Sequence, residues 1–166
     1  KKIKKIDKTQ IISNKENKNF FIEKGISPFI QDPIDGTGGA LKQIYDAKKL
    51  SSDYYLVILS DTPIFDYKIL NQFINKSISS KTDLSVLSQE IANPHGYGRV
   101  IMQDKKFLSI VEENDCNVNQ KKIKLINTGI FLLSKKAISN INLIKKNSKK
   151  KEFYITDLIE IDRKST

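Results

Sequence analysis

Apolar positions along this chain alternate between two spacings. Phe20 to Ile30 holds apolar β-formers broken by Lys24-Gly25 and Pro28, which predicts a weak strand ending near Ile30. The turn-like run Gln31 to Ala40 leads into a helical pattern with Leu41, Ile44, Tyr45 and Ala47 on one side and Thr37 as its expected cap. Tyr54 to Leu59 is continuously apolar, as expected of a parallel strand covered on both faces. Tyr67, Leu70, Phe73 and Ile74 recur at helical spacing through Asn75, and Thr82 to Ile91 reads as a strand. Alternation from Val100 to Val111 predicts a hairpin turning at Asp104-Lys105-Lys106, which puts Glu112 opposite the glycines before it. Ile126 to Leu133 is a further strand. Apolar positions 137, 138, 141 and 144 predict one amphipathic helix from Lys135 to Lys146. Lys145 to Lys151 reads as a solvated charge run, and Phe153 to Ile161 as a short strand or turn with Thr156 capping a last helix. The alternation of strands and helices predicts an α/β architecture.

Composition narrows the class. At 166 residues the chain suits a single domain, and a chain of that size buries roughly 70% of its unfolded surface. Its formal net charge of +10 invites a nucleic-acid or membrane-surface partner. The cations are nearly all lysine, however, with arginine only at Arg99 and Arg163, and a basic nucleic-acid-binding module would favour arginine for bidentate readout. A general lysine, isoleucine and asparagine excess spread over solvated faces explains the charge better, so neither nucleic acid nor membrane is expected as a partner. The lone Cys116 cannot pair within the chain, which fits a reduced compartment. No apolar run approaches the roughly 20 residues needed to cross a bilayer. The basic stretch Lys1 to Lys8 runs into polar residues rather than an apolar segment, so it does not read as a signal peptide. A cytoplasmic protein is expected, with about its first 18 residues poorly structured.

Some polar positions carry more than solvation. Asp61 follows a wholly apolar strand and precedes Thr62-Pro63, and ligands of open α/β sheets gather beyond such strand ends. Gly96 and Gly98 bracket Tyr97 just before an alternating run, where backbone can approach a ligand that a side chain would obstruct. Gly36 and Gly38 stand at a helix entrance, a place that can offer N–H groups to phosphate. His95 has no Cys or His partners at metal-binding spacing and reads as a loop histidine. Nothing local supports a Ser/His/Asp nucleophile.

Taken in order, six segments resemble a known family. They are Gln31 with Gly36-Thr37, Ser60-Asp61-Thr62-Pro63, Pro94 to Arg99, Val111-Glu112, Ile126 to Gly129, and Tyr154 to Asp157. The chain resembles the uridylyltransferase domain of the bacterial bifunctional N-acetylglucosamine-1-phosphate uridylyltransferase / glucosamine-1-phosphate N-acetyltransferase, from about Phe29 onward. The Gly-Tyr-Gly-Arg and Ile-Asn-Thr-Gly pair is its specific part.

The resemblance implies a Rossmann-like, GT-A-like nucleotidyltransferase fold, a mixed sheet flanked by helices and incomplete at the N-terminus. It implies that Gln31, Gly36 and Thr37 contact the uracil and ribose of UTP. Asp61 would hold Mg²⁺, Gly98, Glu112 and Asn127 would hold the sugar of N-acetylglucosamine 1-phosphate, and Tyr154 and Thr156 would line the sugar pocket. The implied reaction yields UDP-N-acetylglucosamine and pyrophosphate by positioning and metal chemistry, without a protein nucleophile. Full-length relatives are expected to be homotrimers. The family's Gly-x-Gly-Thr-x-Met loop, its later asparagine metal ligand and its acetyltransferase β-helix have no counterpart in the sequence, so the chain is expected to be part of a longer enzyme and weakly active alone. Ser60 replaces the family's glycine, and Gly39 stands where the family has histidine. Another sugar-1-phosphate nucleotidyltransferase, thymidylyl or uridylyl, is the alternative.

Overall fold

The computed structural model describes residues 6–62, 66–104, 106–148 and 150–164, with side chains to 162. Pro63 of the strand-end motif, Lys105 of the hairpin turn, Lys149 of the charge run and the basic residues 1–5 lie outside the described residues. The chain forms two units, Lys1–Ser51 with Ile141–Ile155, and Ser52–Asn140 with Thr156–Thr166.

In the first unit, strand β1 (Ile12–Ser13) pairs in parallel with β2 (Phe29–Ile30), and helix α1 (Lys18–Glu23) lies between them in sequence. The expected strand over Phe20 to Ile30 is thus a helix, a turn and two paired residues. Local stop and start signals outweigh β-propensity here. The Asn14 side chain accepts the Asn17 N–H at 2.9 Å ahead of the helix. Gly25, with φ +72°, turns the chain at its end, where its N–H and that of Ile26 close onto Ile22 and Phe21. Helix α2 (Gly36–Asp46) follows, burying Leu41 and Ile44 as the pattern required. Asp35, not Thr37, occupies its cap position. Thr37 lies inside the first turn, where its hydroxyl oxygen accepts the Ile155 N–H at 3.3 Å.

The second unit is built on one long strand. Its elements are β3 (Tyr54–Ile58), α3 (Tyr67–Ser79), β4 (Leu84–Glu90), β5 (Arg99–Gln103), β6 (Lys106–Val111), β7 (Leu125–Ser134), α4 (Lys135–Ser139) and α5 (Asp157–Lys164). Strand β7 pairs antiparallel with β3, β4 and β5, and β6 joins β5 as the expected hairpin. Because β3 and β4 both run antiparallel to β7, they are parallel to one another without being neighbours. The expectation that Tyr54 to Leu59 forms a parallel pair covered on both faces is corrected. Strand β3 is antiparallel to β7, and four of its five residues are only half-buried while Ile58 is exposed. A run of apolar residues states strand length but not strand direction. Asp66 caps α3 by accepting the Lys68 N–H at 2.9 Å, and Leu70 and Ile74 fill the helix's inner face.

The helix expected over Lys135 to Lys146 is also corrected. Helix α4 stops at Ser139, Asn140 turns the chain, and a 3-10 turn spans Ile141–Leu143. Ala137, Ile138, Ile141 and Ile144 are nevertheless all buried. The spacing thus encodes burial, while asparagine's preference for turns breaks the helix.

One irregularity in β7 shapes this unit. Leu87 of β4 pairs with Ile130, but Ser88 pairs with Asn127, so Thr128 and Gly129 form a bulge. Each residue of Asn127-Thr128-Gly129 supplies part of it. Gly129 takes φ +78°, the Asn127 side-chain oxygen accepts the Gly129 N–H at 2.9 Å, and the Thr128 hydroxyl donates to the Leu87 carbonyl at 2.7 Å. A Cβ on Gly129 would stand 2.8 Å from Thr62 Oγ1 and 3.2 Å from Leu59 Cβ. Gly129→Ala therefore combines backbone strain with a clash, and it is expected to lower unfolding free energy by roughly 1–3 kcal/mol in urea titrations.

Candidate functional site

The bulge fixes what surrounds it. Its Gly129 carbonyl accepts the Leu59 N–H at 3.0 Å, and its Thr128 carbonyl accepts the Thr62 hydroxyl at 3.1 Å. The loop carrying Asp61 is thereby tied at both sides to β7. Asp61 itself is exposed at the end of β3. Among the described residues, no three His, Cys, Asp or Glu side chains gather as a metal cage.

Asn127 connects to the glycine loop through its backbone, donating its N–H to the Gly98 carbonyl at 2.8 Å. Gly98 is buried, and a Cβ there would stand 3.0 Å from Ile110 Cγ2 and 3.3 Å from Glu112 Oε2. The hairpin register, Arg99 opposite Val111, brings Glu112 back to Gly98. Glu112 Oε1 accepts the hydroxyl proton of Thr156 at 3.0 Å. Thr156 immediately precedes α5 but spends its hydroxyl on Glu112, which couples the start of that helix to the hairpin end. Gly98, Glu112 and Asn127, distant in sequence, are thus joined in one place. A carboxylate, an amide and a close backbone can together recognise several hydroxyl groups.

Behind the loop lies a contact that the hydropathy pattern did not reveal. Arg99 is 1% exposed, and its Nη2 meets Glu113 Oε2 at 2.6 Å. The same carboxylate oxygen accepts the Gly96 N–H at 3.1 Å, while Arg99 Nη1 donates to the Tyr97 carbonyl. The Arg99 hydrogen bond holds the Glu113 carboxyl below its ordinary range; burial opposes this and the Gly96 amide reinforces it. The available sequence signal was a lone arginine directly after the glycines, with a second glutamate directly after Glu112. Cys116 is buried beneath the hairpin end, and burial pushes its thiol up.

Gln31, Gly36 and Thr37 belong to the first unit. Gln31 Nε2 donates to the Gly36 carbonyl at 3.0 Å and to Asp35 Oδ1 at 3.3 Å. The glycines of α2 have a local reason for being there. A Cβ on Gly36 would lie 2.6 Å from the Phe153 carbonyl oxygen, and the Gly38 N–H donates to that same oxygen at 2.8 Å. A side chain at Gly39 would fall on the Asp35 carboxylate, so glycine at this position lets Asp35 fold over the helix entrance.

Asp157, the first residue of α5, is half-buried, and its carboxyl is pushed up to about 6 by desolvation, with Glu160, Glu112 and Asp115 adding repulsion. The fold favours its unionised form. Stability from this group is therefore full below the ordinary 3.8 and is lost as pH rises through about 6. Asp157→Asn should remove that loss, raising stability at pH 7 relative to pH 4 by about 1 kcal/mol once solvent screening is discounted. Thermal unfolding of both forms across this range checks it.

Comparison with known proteins places the chain. It is 34% identical over 140 residues to the bifunctional protein GlmU of Thermosipho africanus, an alignment covering 84% of this chain and 30% of that protein. It is 32% identical over 133 residues to a protein of Acanthamoeba polyphaga mimivirus named a probable UDP-N-acetylglucosamine pyrophosphorylase, covering 79% of this chain and 52% of that one. The chain thus spans about a third to half the length of these relatives. A crystal structure from Bacillus anthracis, assigned as a glucose-1-phosphate thymidylyltransferase in complex with sucrose, superposes with a TM-score of 0.71 at 27% identity, covering 94% of this chain and 63% of that one. The Rossmann-like, GT-A-like fold implied by the motifs is the one observed. The nucleotidyl transferase family matches residues 3–164, and this chain belongs to it.

Proposed function

We propose that this chain serves in a sugar-1-phosphate uridylyltransferase that forms UDP-N-acetylglucosamine from UTP and N-acetylglucosamine 1-phosphate. The observation that carries this reading is the convergence of the Gly98 backbone, the Glu112 carboxylate and Asn127 around the β7 bulge. An acetamido sugar offers hydroxyls that donate to a carboxylate and a carbonyl that accepts from an amide. Similarity to GlmU and to the mimivirus pyrophosphorylase supports the same substrate.

In the reaction, a phosphate oxygen of the sugar phosphate attacks the α-phosphorus of UTP. The bond to the β-phosphate breaks, and pyrophosphate leaves with its electrons. No group on the protein needs to form a covalent bond. Glu112 and Asn127 would hold the sugar so that its phosphate approaches in line with the leaving group, and such positioning is worth several orders of magnitude in rate. Asp61, an exposed hard-oxygen donor at a strand end, suits Mg²⁺, which takes one or two carboxylates and completes its shell with phosphate and water. A bound Mg²⁺ would neutralise phosphate charge as the transition state forms. Gln31, Gly36 and Thr37 would address the base and ribose, with Gln31 already oriented by its bonds to Asp35 and Gly36.

Similarity to the thymidylyltransferase structure favours a second reading, the same chemistry on another nucleotide and sugar. Titrations followed by amide NMR separate the two. N-acetylglucosamine 1-phosphate should shift the Gly98 and Asn127 amides more strongly than glucose 1-phosphate, and Glu112→Gln or Asn127→Ala should weaken binding about tenfold or more. Stronger response to the plain sugar phosphate, together with preference for dTTP over UTP, would replace the first reading by the second. Asp61→Asn should leave sugar-phosphate affinity intact while removing the line broadening that Mn²⁺ causes in the presence of UTP.

A further inference from the structure

We propose that Arg99 and Glu113 are a positioning pair that sets the Gly96 to Gly98 backbone, and through it sugar affinity, without either side chain touching ligand. The inference rests on the sugar-binding reading above for its effect on affinity, but not for its geometry.

Three consecutive residues are held by separate bonds. The Gly96 N–H donates to Glu113 Oε2 at 3.1 Å, the Tyr97 carbonyl accepts from Arg99 Nη1, and the Gly98 carbonyl accepts the Asn127 N–H at 2.8 Å. Gly96 has φ +88° in a turn closed by the Tyr97 N–H, which donates to the Pro94 carbonyl at 3.2 Å. Apart from that bond and the His95 N–H, which donates to Asn93 Oδ1 at 3.3 Å, the bonds to Gly96, Tyr97 and Gly98 tie the loop to residues beyond it. Arg99 and Glu113 are bonded directly to each other at 2.6 Å, so a single charged unit grips both the entering amide and the central carbonyl. Arg99 Nη2 also reaches the Lys121 carbonyl at 3.5 Å, and its buried Nε has no protein partner.

Such an arrangement is expensive if stability alone were its purpose. A buried guanidinium loses its hydration, and apolar residues of similar volume often serve a core equally well. What an apolar replacement could not provide is a fixed direction for two backbone groups at positions 96 and 97. The neighbouring carboxylates then divide the work. Glu112 turns to Gly98 and Thr156, where a sugar hydroxyl could be received, and Glu113 turns to Arg99 and Gly96.

The test uses Glu113→Gln, which keeps an oxygen for the Gly96 N–H but removes the charge that holds Arg99, and Arg99→Lys, which keeps the charge but loses the forked geometry. In the ligand-free protein, the Gly96, Tyr97, Gly98 and Asn127 amide resonances should move in both variants, while Gly38 in the first unit stays. Affinity for N-acetylglucosamine 1-phosphate should fall about tenfold in Glu113→Gln. A drop in unfolding temperature with those four amides unmoved would overturn the proposal, because it would leave only a structural ion pair. Moved amides with unchanged affinity would overturn it as well. If Arg99→Lys does not fold, Glu113→Gln decides alone. Absence of sugar-phosphate binding by the unaltered chain would sink the functional reading, and the ligand-free amides would still decide whether the pair sets the loop.

Discussion

The second unit depends on a defect in its central strand. A regular β7 would carry Asn127, Thr128 and Gly129 through the sheet in simple alternation, with backbone groups paired by turns to β4 on one edge and to β3 or β5 on the other. The bulge breaks that ladder and leaves a donor and an acceptor to be satisfied, and the two side chains beside it meet those needs. In exchange, the carbonyls of Thr128 and Gly129 are free to anchor the Asp61 loop. Residues that a motif would record as a short conserved-looking word are thus a solution to a hydrogen-bonding problem, and the candidate site is assembled around that solution.

Much of this was legible in the sequence. The hairpin of β5 and β6, the strand β7 and the association of Glu112 with the glycine loop follow from alternation and from turn residues, because an antiparallel hairpin brings its own ends together. What escaped was non-local. The direction of β3 depends on its partner β7 more than seventy positions away, and an apolar run does not encode that pairing. At the opening of the chain the deciding signals are short-range instead, with Asn14 ahead of the helix and Gly25 after it overriding the aromatic and β-branched residues between them. Arg99 was hidden by its residue type. A charged residue heading a strand reads as an exposed end, yet here it is among the most buried side chains.

The first unit shows how one glycine pattern can answer two demands. Gly36 and Gly38 allow the Phe153 carbonyl to approach the start of α2 and accept an N–H there, so close packing within the unit accounts for these glycines before any ligand is invoked. Recognition at Gln31, Gly36 and Thr37 would then draw on groups whose orientation the fold has already fixed. Preorganisation of this kind lowers the entropy lost when a ligand is held.

Adjacent glutamates with opposite duties make the hairpin intolerant of length changes on one side and tolerant on the other. Glu112 lies in extended backbone, so deleting it would draw Glu113 into its place beside Gly98 and bring Asn114 to the place of Glu113, leaving Arg99 without its carboxylate. The far end of the hairpin is insulated from this. Its register already shifts between Ile101 and Met102, and Asp104 tops an exposed turn. Inserted residues, an affinity tag or a fluorescent reporter would be accommodated there, more than a strand's length from the glycine loop, making that turn the natural port for labelling the protein.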